Sequence, residues 1–337
     1  MKQLKWDDNQ DEFILRALKT VATANGRLEL STMDNALIDG LQRHLLYSNL
    51  VLADLPLVSP QEFATHFTAP AMAEQALQFL IVMPYSDTKA NAEKVAVVDA
   101  FAAALGIHPE ALTLLHQARD RHVMAMEFCI YRKLAPSMIK GKTILDKFRT
   151  LKPVLQMKKY DIEVALKHER LGLLPEGTLG RSIWQFYRTR GFTFPGEGHM
   201  NMNEDFILIH DVSHILGGFN STPQGEIGVA AFQGGNMKEH GWLFAVIGML
   251  DFQLGLAAYT GPAKVQSGEL DPEEFLRGLE MGMNCNIDLS KDWNPWDHMD
   301  RQLDDIRNEY NIIHATNIHA TPPEGWWAVP PESWWKY

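Results

Sequence analysis

Apolar residues recur three and four positions apart through DEFILRALKTVATA, LIDGLQRHLLYSNLVLA, AEQALQFLIVM, EKVAVVDAFAAALG and ALTLLHQARDRHVMAMEFCIYRKL. That spacing gathers them on one face of an α-helix, and stretches of strict alternation that would mark strands are few. The pattern predicts an all-α fold. Chemical start signals agree with it: Ser59-Pro60 with Glu62, Asp271-Pro272 with Glu273 and Glu274, and Asn294-Pro295 each set a capping side chain before a proline suited to the first helical position. Gly106 and Gly191 stand where helices should stop, because glycine takes the left-handed closing conformation at little cost. The most apolar stretch, WLFAVIGMLDFQLGLAAY over 242–259, contains Asp251 and falls short of the roughly 20 residues a spanning helix needs. It reads as a helix covered on all sides by others, and as a candidate wall for an apolar ligand cavity.

A chain of 337 residues is long for one helical core, which predicts two helical domains. In the first, LKTVATANGRLELSTMDNALIDGLQRHL and LQFLIVMPYSDTKANAEKVAVVDAFAAALGI both read as helix, polar turn, helix, a faint internal duplication of paired hairpins. This arrangement resembles the TerB-like helical domain of tellurite-resistance and related proteins, whose turns read A-x-A-D-G followed by an acidic residue. Here the first turn is Ala22-Thr23-Ala24-Asn25-Gly26, with asparagine in place of the aspartate, and the second offers Asp87 and Glu93 without the glycine. Lacking that carboxylate, the half reads as an interaction or packing module. The expected division is a TerB-like domain over 1–135, a basic linker over 136–160, a second helical domain over 161–312 and a Pro/Trp-rich tail over 313–337. Ala135-Pro136 and Lys152-Pro153 are expected to interrupt helix around the linker.

Charge narrows the partners. A net charge of −11 argues against a nucleic-acid binder, which needs a basic field to displace phosphate counterions. The linker departs from this acidity: Lys140, Lys142, Lys147, Arg149, Lys152, Lys158 and Lys159 face only Asp146, which suits either a solvated segment or peripheral contact with an anionic membrane. The opening MKQLKWDDNQDEF is polar, so neither a secretory signal nor a transit peptide is expected, and the default compartment is cytoplasmic. With only Cys129 and Cys285, a disulfide framework or a thiolate zinc site is not expected, and any metal must be held by histidine and carboxylate.

One span supplies that chemistry: HDVSHILGGFNSTPQGE, residues 210–226. On a helix ended by Gly217-Gly218, His210 and His214 stand one turn apart on the same face, and Asp211 lies about 100° round from His210. Ser221 or Thr222 then caps a new helix with Pro223 in its first turn, and the short loop lets Glu226 swing back towards the histidines. Two imidazoles and two carboxylates suit zinc, and also iron, manganese or cobalt. The i, i+4 histidine pair is shared with metalloproteases, but aspartate follows the first histidine, and its shorter arm is less suited to a general base. The same span is also compatible with two interior histidines and a glutamate favoured by the helix dipole. A third arrangement, a metal phosphohydrolase built on the His210-Asp211 pair, would need further ligands such as His168 and Asp251.

HDVSH followed after eleven residues by Glu226 resembles the H-D-x-x-H-x(11)-E motif of the coenzyme Q biosynthesis protein family called "COQ four". Upstream, LLPEGTLGRSIWQFYRTRG (173–191) is similar to that family's L-P-x-G-S-L-G-R segment. Downstream, DWNPWDHMDRQLDDIRNEYNI (292–312) resembles its tryptophan-rich closing helix ending in R-x-E-x-G-I. The resemblance implies an all-helical protein, peripheral on the inner face of an energy-transducing membrane and bound to other quinone-biosynthesis proteins. It also implies zinc or another divalent metal on His210, Asp211, His214 and Glu226, and a role in removing the C1 carboxyl of a polyprenylated hydroxybenzoate, a lyase reaction that is optionally oxidative. Two departures leave the ligand open between this aromatic acid and another isoprenoid lipid: FTFPGEGHMNMNED replaces an aspartate-containing loop, and Asn311 precedes Ile312 where the family has glycine. A non-catalytic scaffold or lipid-binding module is the alternative. Arg181 is the candidate partner for an anionic headgroup, His199 a candidate proton donor, and His240 has no assigned role. The tail repeats P-P-E-x-W-W, giving Trp326-Trp327 and Trp334-Trp335, and is expected to pack on the protein, to join a second subunit in a homodimer, or to lie at a headgroup layer.

Overall fold

The computed structural model describes residues 4–138, 161–197, 204–256 and 266–312. The basic segment from 139 to 160, His199 and the tail from 313 lie outside them. The described chain is predominantly helical, and its only β-type pairings are isolated bridges between Thr178 and Gln302 and between Leu254 and Ser267. Seven helices come from the first part: α1 (Asp8–Ala22), α2 (Thr32–Leu41), α3 (Pro60–His66), α4 (Pro70–Val82), α5 (Ala92–Leu105), α6 (Glu110–Arg119) and α7 (Val123–Met138). Seven follow: α8 (Ile162–Glu169), α9 (Leu179–Arg190), α10 (Glu204–Gly217), α11 (Pro223–Asn236), α12 (Gly241–Phe252), α13 (Pro272–Asn284) and α14 (Leu303–Glu309). No described helix is long and apolar enough to cross a membrane.

The punctuation read from the sequence places most ends. Ser59 caps α3 by accepting from the Glu62 amide at 3.1 Å, and Asp271 caps α13 by accepting from the amides of Glu273 and Glu274. Gly106 and Gly191 close α5 and α9 with φ of +68° each. Two signals act differently. Asn294 opens only a 3₁₀ turn over Pro295–His298, without a side-chain cap. Pro136 does not end α7, which continues to Met138, because a proline in the last turn of a helix removes only one backbone hydrogen bond. The apolar stretch forms α12, buried along its whole length, but it stops at Phe252.

Within the first part the two hairpins are tied by a buried ion pair. Lys94 of α5 reaches Asp34 in the first turn of α2 at 2.7 Å and the Ser86 hydroxyl at 2.7 Å. Asp87 adds a second carboxylate to Lys94 at 3.4 Å, and Glu93 pairs with Arg27 at 2.9 Å. A buried charge needs such company, since an unpaired ammonium in a dry interior is strongly unfavourable.

The apolar core crosses between the parts. Ile14, Leu77 and Phe101 share one cluster with Ile227 and Ala231 of α11, with most of α12, and with Phe275 and Leu279 of α13. The opposite side of α11, through Val229 and Phe232, enters a second cluster with Phe186, Val212, Leu216 and Ile306. Thus α11 is the partition that both cores use. It is held at backbone distance: a Cβ on Gly278 would lie 2.4 Å from the Gly228 carbonyl, and one on Gly282 only 2.1 Å from the Phe232 carbonyl. Only glycine permits α13 to lie this close.

Candidate metal centre

The site is built from the end of α10 and the start of α11. Gly218, with φ +77°, ends α10, and the amides of Gly218 and Phe219 both return to the His214 carbonyl at 2.9 Å. Arg307 of α14, itself buried, satisfies two of the remaining orphan carbonyls: Nε donates to Leu216 at 3.0 Å and a terminal nitrogen to Ile215 at 2.7 Å. The loop then folds tightly, with Asn220 accepting from the Thr222 amide at 2.9 Å. Thr222, not Ser221, caps α11, accepting from the Gly225 amide at 3.2 Å with Pro223 at the first position. Glu226 therefore sits in the first turn, facing back along the loop to α10.

Three side chains converge. The two Nε2 atoms of His210 and His214 are 3.2 Å apart; Glu226 Oε2 lies 3.2 Å from His210 Nε2, and Oε1 lies 3.4 Å from His214 Nε2. The edges of a tetrahedron around an ion with bonds of about 2.0–2.1 Å are about 3.3 Å long, so these separations suit a common cation. The rear nitrogens are oriented as metal-ligating imidazoles require: His210 Nδ1 faces Gln233 Oε1 at 2.9 Å, and His214 Nδ1 faces the Phe219 carbonyl at 3.3 Å. A carbonyl can only accept, so the His214 proton belongs on Nδ1 and its Nε2 lone pair points into the cluster. Two such lone pairs at 3.2 Å repel unless a proton or a metal ion sits between them.

In the metal-free protein that cation is a proton. Burial opposes charge on His210, but the Glu226 carboxylate outweighs it and lifts the imidazole to about 9. Burial equally opposes charge on Glu226, and the two histidines overcome it, holding the carboxyl at about 2. The site is thus an anionic carboxylate waiting under two imidazoles, largely dry: the His214 side chain is 1% exposed and Glu226 11%, with His210 at 28% the open side.

Asp211 does not join the group whose ligand atoms lie within 4.8 Å of one another, which is His210, His214 and Glu226. Its Oδ2 instead accepts from the Tyr187 hydroxyl of α9. Burial raises its carboxyl above the usual range, and burial, followed by the Asp211 charge, raises the Tyr187 phenol well above its own. Arg181 is engaged away from the cluster, with Glu176 at 3.0 Å, the Gly172 carbonyl, and the Trp184 ring 4.7 Å beneath its guanidinium. His168 is buried between Phe194 and Trp296, and neither it nor Asp251 shares the ligand group. His240 begins α12 and lies 3.7 Å from Glu110.

Gln233, Tyr187 and Arg307 carry parts of the site that sequence reasoning assigned to no role. Gln233 lies seven residues, two helical turns, beyond Glu226, so its place on the same face was readable from periodicity; Tyr187 and Arg307 come from other helices and carry no local signal. In a comparison with known proteins, no family model and no curated protein matches this chain.

Proposed function

We propose that this protein is a two-part helical protein, TerB-like in its first part and similar to the "COQ four" family in its second, that binds one divalent metal ion at His210, His214 and Glu226. The carrying observation is the convergence of two Nε2 atoms and one carboxylate at tetrahedral-edge separations, with both rear nitrogens facing acceptors. Zinc suits this donor set, as do iron, manganese and cobalt. The proposed substrate is an aromatic acid carrying an isoprenoid tail, such as a polyprenylated hydroxybenzoate, and the proposed reaction is loss of its C1 carboxyl. When bound, the ion supplies a Lewis acid for the substrate's carboxylate and neighbouring phenol oxygen, stabilising charge as CO2 leaves. The C1–carboxyl bond breaks, its electron pair stays on the ring, and a proton takes the vacated position; an oxidative version would consume dioxygen and require a redox-active metal.

The chain's own residues do the positioning. Gln233 and the Phe219 carbonyl fix the imidazole orientations, and Phe186, its ring 5.5 Å from that of His214, helps to keep water from a site whose burial strengthens charge interactions. Peripheral attachment to a membrane and association with other quinone-biosynthesis proteins belong to the same proposal.

The test is metal content measured on the purified protein and on His214→Ala, alongside release of labelled CO2 from a carboxyl-labelled prenylated hydroxybenzoate. One ion per chain, lost in the variant, with CO2 release that follows the ion, supports the reading. Equal metal content in both proteins overturns the site; a loaded protein that releases no CO2 overturns the reaction and leaves a metal-bearing scaffold or lipid-binding module.

A further inference from the structure

We infer that the outward face of α8, with the turn that follows it, docks onto an anionic lipid bilayer, Ile162, Leu166 and Leu173 entering the headgroup layer. The inference gives a location to the peripheral attachment proposed above, rests on that part of the reading, and is independent of the metal ion.

Asp161 caps α8 by accepting from the Val164 amide at 3.3 Å, and Ala165, His168 and Leu171 are buried on its inner side. An ordinary surface helix is polar on the other side, and this one is not. Ile162 and Leu166 stand one turn apart and are 68% and 46% exposed; Leu173, ending the 3₁₀ turn Arg170–Leu173, is 86% exposed. Three large apolar side chains open to water within residues 162–173 form a patch rather than a scatter. Half-buried tryptophans adjoin it. The Trp184 ring lies so close to Gly172 that a Cβ there would be 2.7 Å from it, and its Nε1 donates to Glu169 at 3.1 Å. The Trp296 ring carries the Lys167 ammonium 3.3 Å from its centroid. Tryptophans with a polar edge, beside a lysine whose stem covers apolar surface, are the side chains that favour a bilayer interface.

Charge selects the occupant. The face itself is balanced, Glu163 and Glu169 against Lys167 and Arg170, with Glu169 also paired to Arg188. The chain that enters it is not. Residues 139–160, outside the described residues, hold seven Lys or Arg and one Asp in a protein of net charge −11, and they run directly into Asp161 and Ile162. An anionic leaflet answers both features, with headgroup phosphates for the cations and a yielding apolar layer for the exposed stripe.

Vesicle flotation reads the face directly. The full-length protein and the variants Ile162→Glu, Leu173→Glu and Val51→Glu would be mixed with phosphatidylcholine vesicles, and with vesicles in which about 30% of that lipid is replaced by phosphatidylserine. Helical circular dichroism reports the fold, which a charge at such exposed positions should leave intact; Val51, 60% exposed in the first part of the chain, is the control. Wild type should float with the anionic vesicles, and at least about tenfold less with neutral ones or in about 0.5 M salt. Ile162→Glu and Leu173→Glu should each lower partition by at least about tenfold, while Val51→Glu stays within about twofold of wild type. Flotation of Ile162→Glu and Leu173→Glu equal to wild type moves the attachment elsewhere and overturns the inference. So does an equal loss in Val51→Glu, or wild-type binding indifferent to lipid charge. A dimer formed without vesicles and dissociated by Leu173→Glu assigns the face to a second copy, and also overturns it. Wild type that floats with neither vesicle overturns the peripheral attachment itself, whatever its metal content.

Discussion

Two histidine–carboxylate clusters in this molecule use the same residue types to opposite ends. At the α10–α11 turn two imidazoles and one glutamate aim at a common point. At His44, in the π-type turn Gln42–Leu46, a single imidazole is stretched between two glutamates of α13: Nδ1 to Glu280 at 2.6 Å and Nε2 to Glu273 at 2.9 Å. Tyr47 adds a hydroxyl to Glu280 at 2.7 Å, and Arg43 pairs with Glu273 at 2.5 Å. With a carboxylate on each nitrogen, the His44 ring donates twice and is held as an imidazolium; the Glu280 hydrogen bond raises its pKa, against a smaller opposing effect of burial. Divergent acceptors make a clamp between the two parts of the chain, and convergent donors make the arrangement proposed above to hold a cation. Composition of a cluster does not decide its chemistry; the direction of the lone pairs does.

The largest expected contrast is in metal content. His214→Ala should weaken binding of a divalent ion by at least about a hundredfold, whereas His44→Ala should leave it unchanged, as read by equilibrium dialysis and elemental analysis. A comparable loss in both would erase the distinction. Next comes pH. The folded-state pKa of His210 lies above its ordinary value of 6.5, at about 9, so its contribution to metal-free stability is complete below 6.5 and is lost as pH rises towards 9. Metal displaces that proton, so affinity should rise over the same window, by up to about tenfold per pH unit, while metal-free stability falls; isothermal titration in buffers of different ionisation enthalpy would count the proton released. Affinity flat from 6.5 to 9 would contradict the proton-bridged state.

Smaller effects follow. Gln233→Leu removes the acceptor behind His210 and should cost about 10–100-fold in metal affinity without altering helix content. His44→Ala should lower stability by only about 1 kcal/mol in urea denaturation, because Glu273 is half exposed and solvent screens its share. That loss should be seen near neutral pH and fade at higher pH, as the wild-type imidazolium itself deprotonates. A loss of several kcal/mol would mean that the clamp, rather than the shared core, joins the two parts.

Much of the local structure was legible in sequence because its causes are local. Ser59, Asp271, Gly106 and Gly191 act within one turn of themselves, and His210, His214 and Glu226 are brought together by sixteen residues of chain whose only break is Gly217-Gly218 and Pro223. What was not legible depends on neighbours distant in the chain. Asp211 accepts from Tyr187, 24 residues earlier, and the end of α10 is met by Arg307, 91 residues after Leu216. Periodicity likewise shows that α11 has apolar faces but not which helices cover them; Ile227 and Val229 point into different clusters although two residues separate them. The clamp at His44 spans 236 residues to Glu280 and left no trace in local pattern.

The placement of α11 between two cores has a thermodynamic consequence for the whole chain. A helix that both clusters need cannot melt with only one of them, so the two parts are coupled into a common unfolding unit rather than two independent ones. Any ligand that binds only the folded arrangement of Glu226 draws down the population of opened states for α1 and α5 as well as for α10. Slowed amide exchange deep in the first part, far from Glu226, would be the signature of that shared wall.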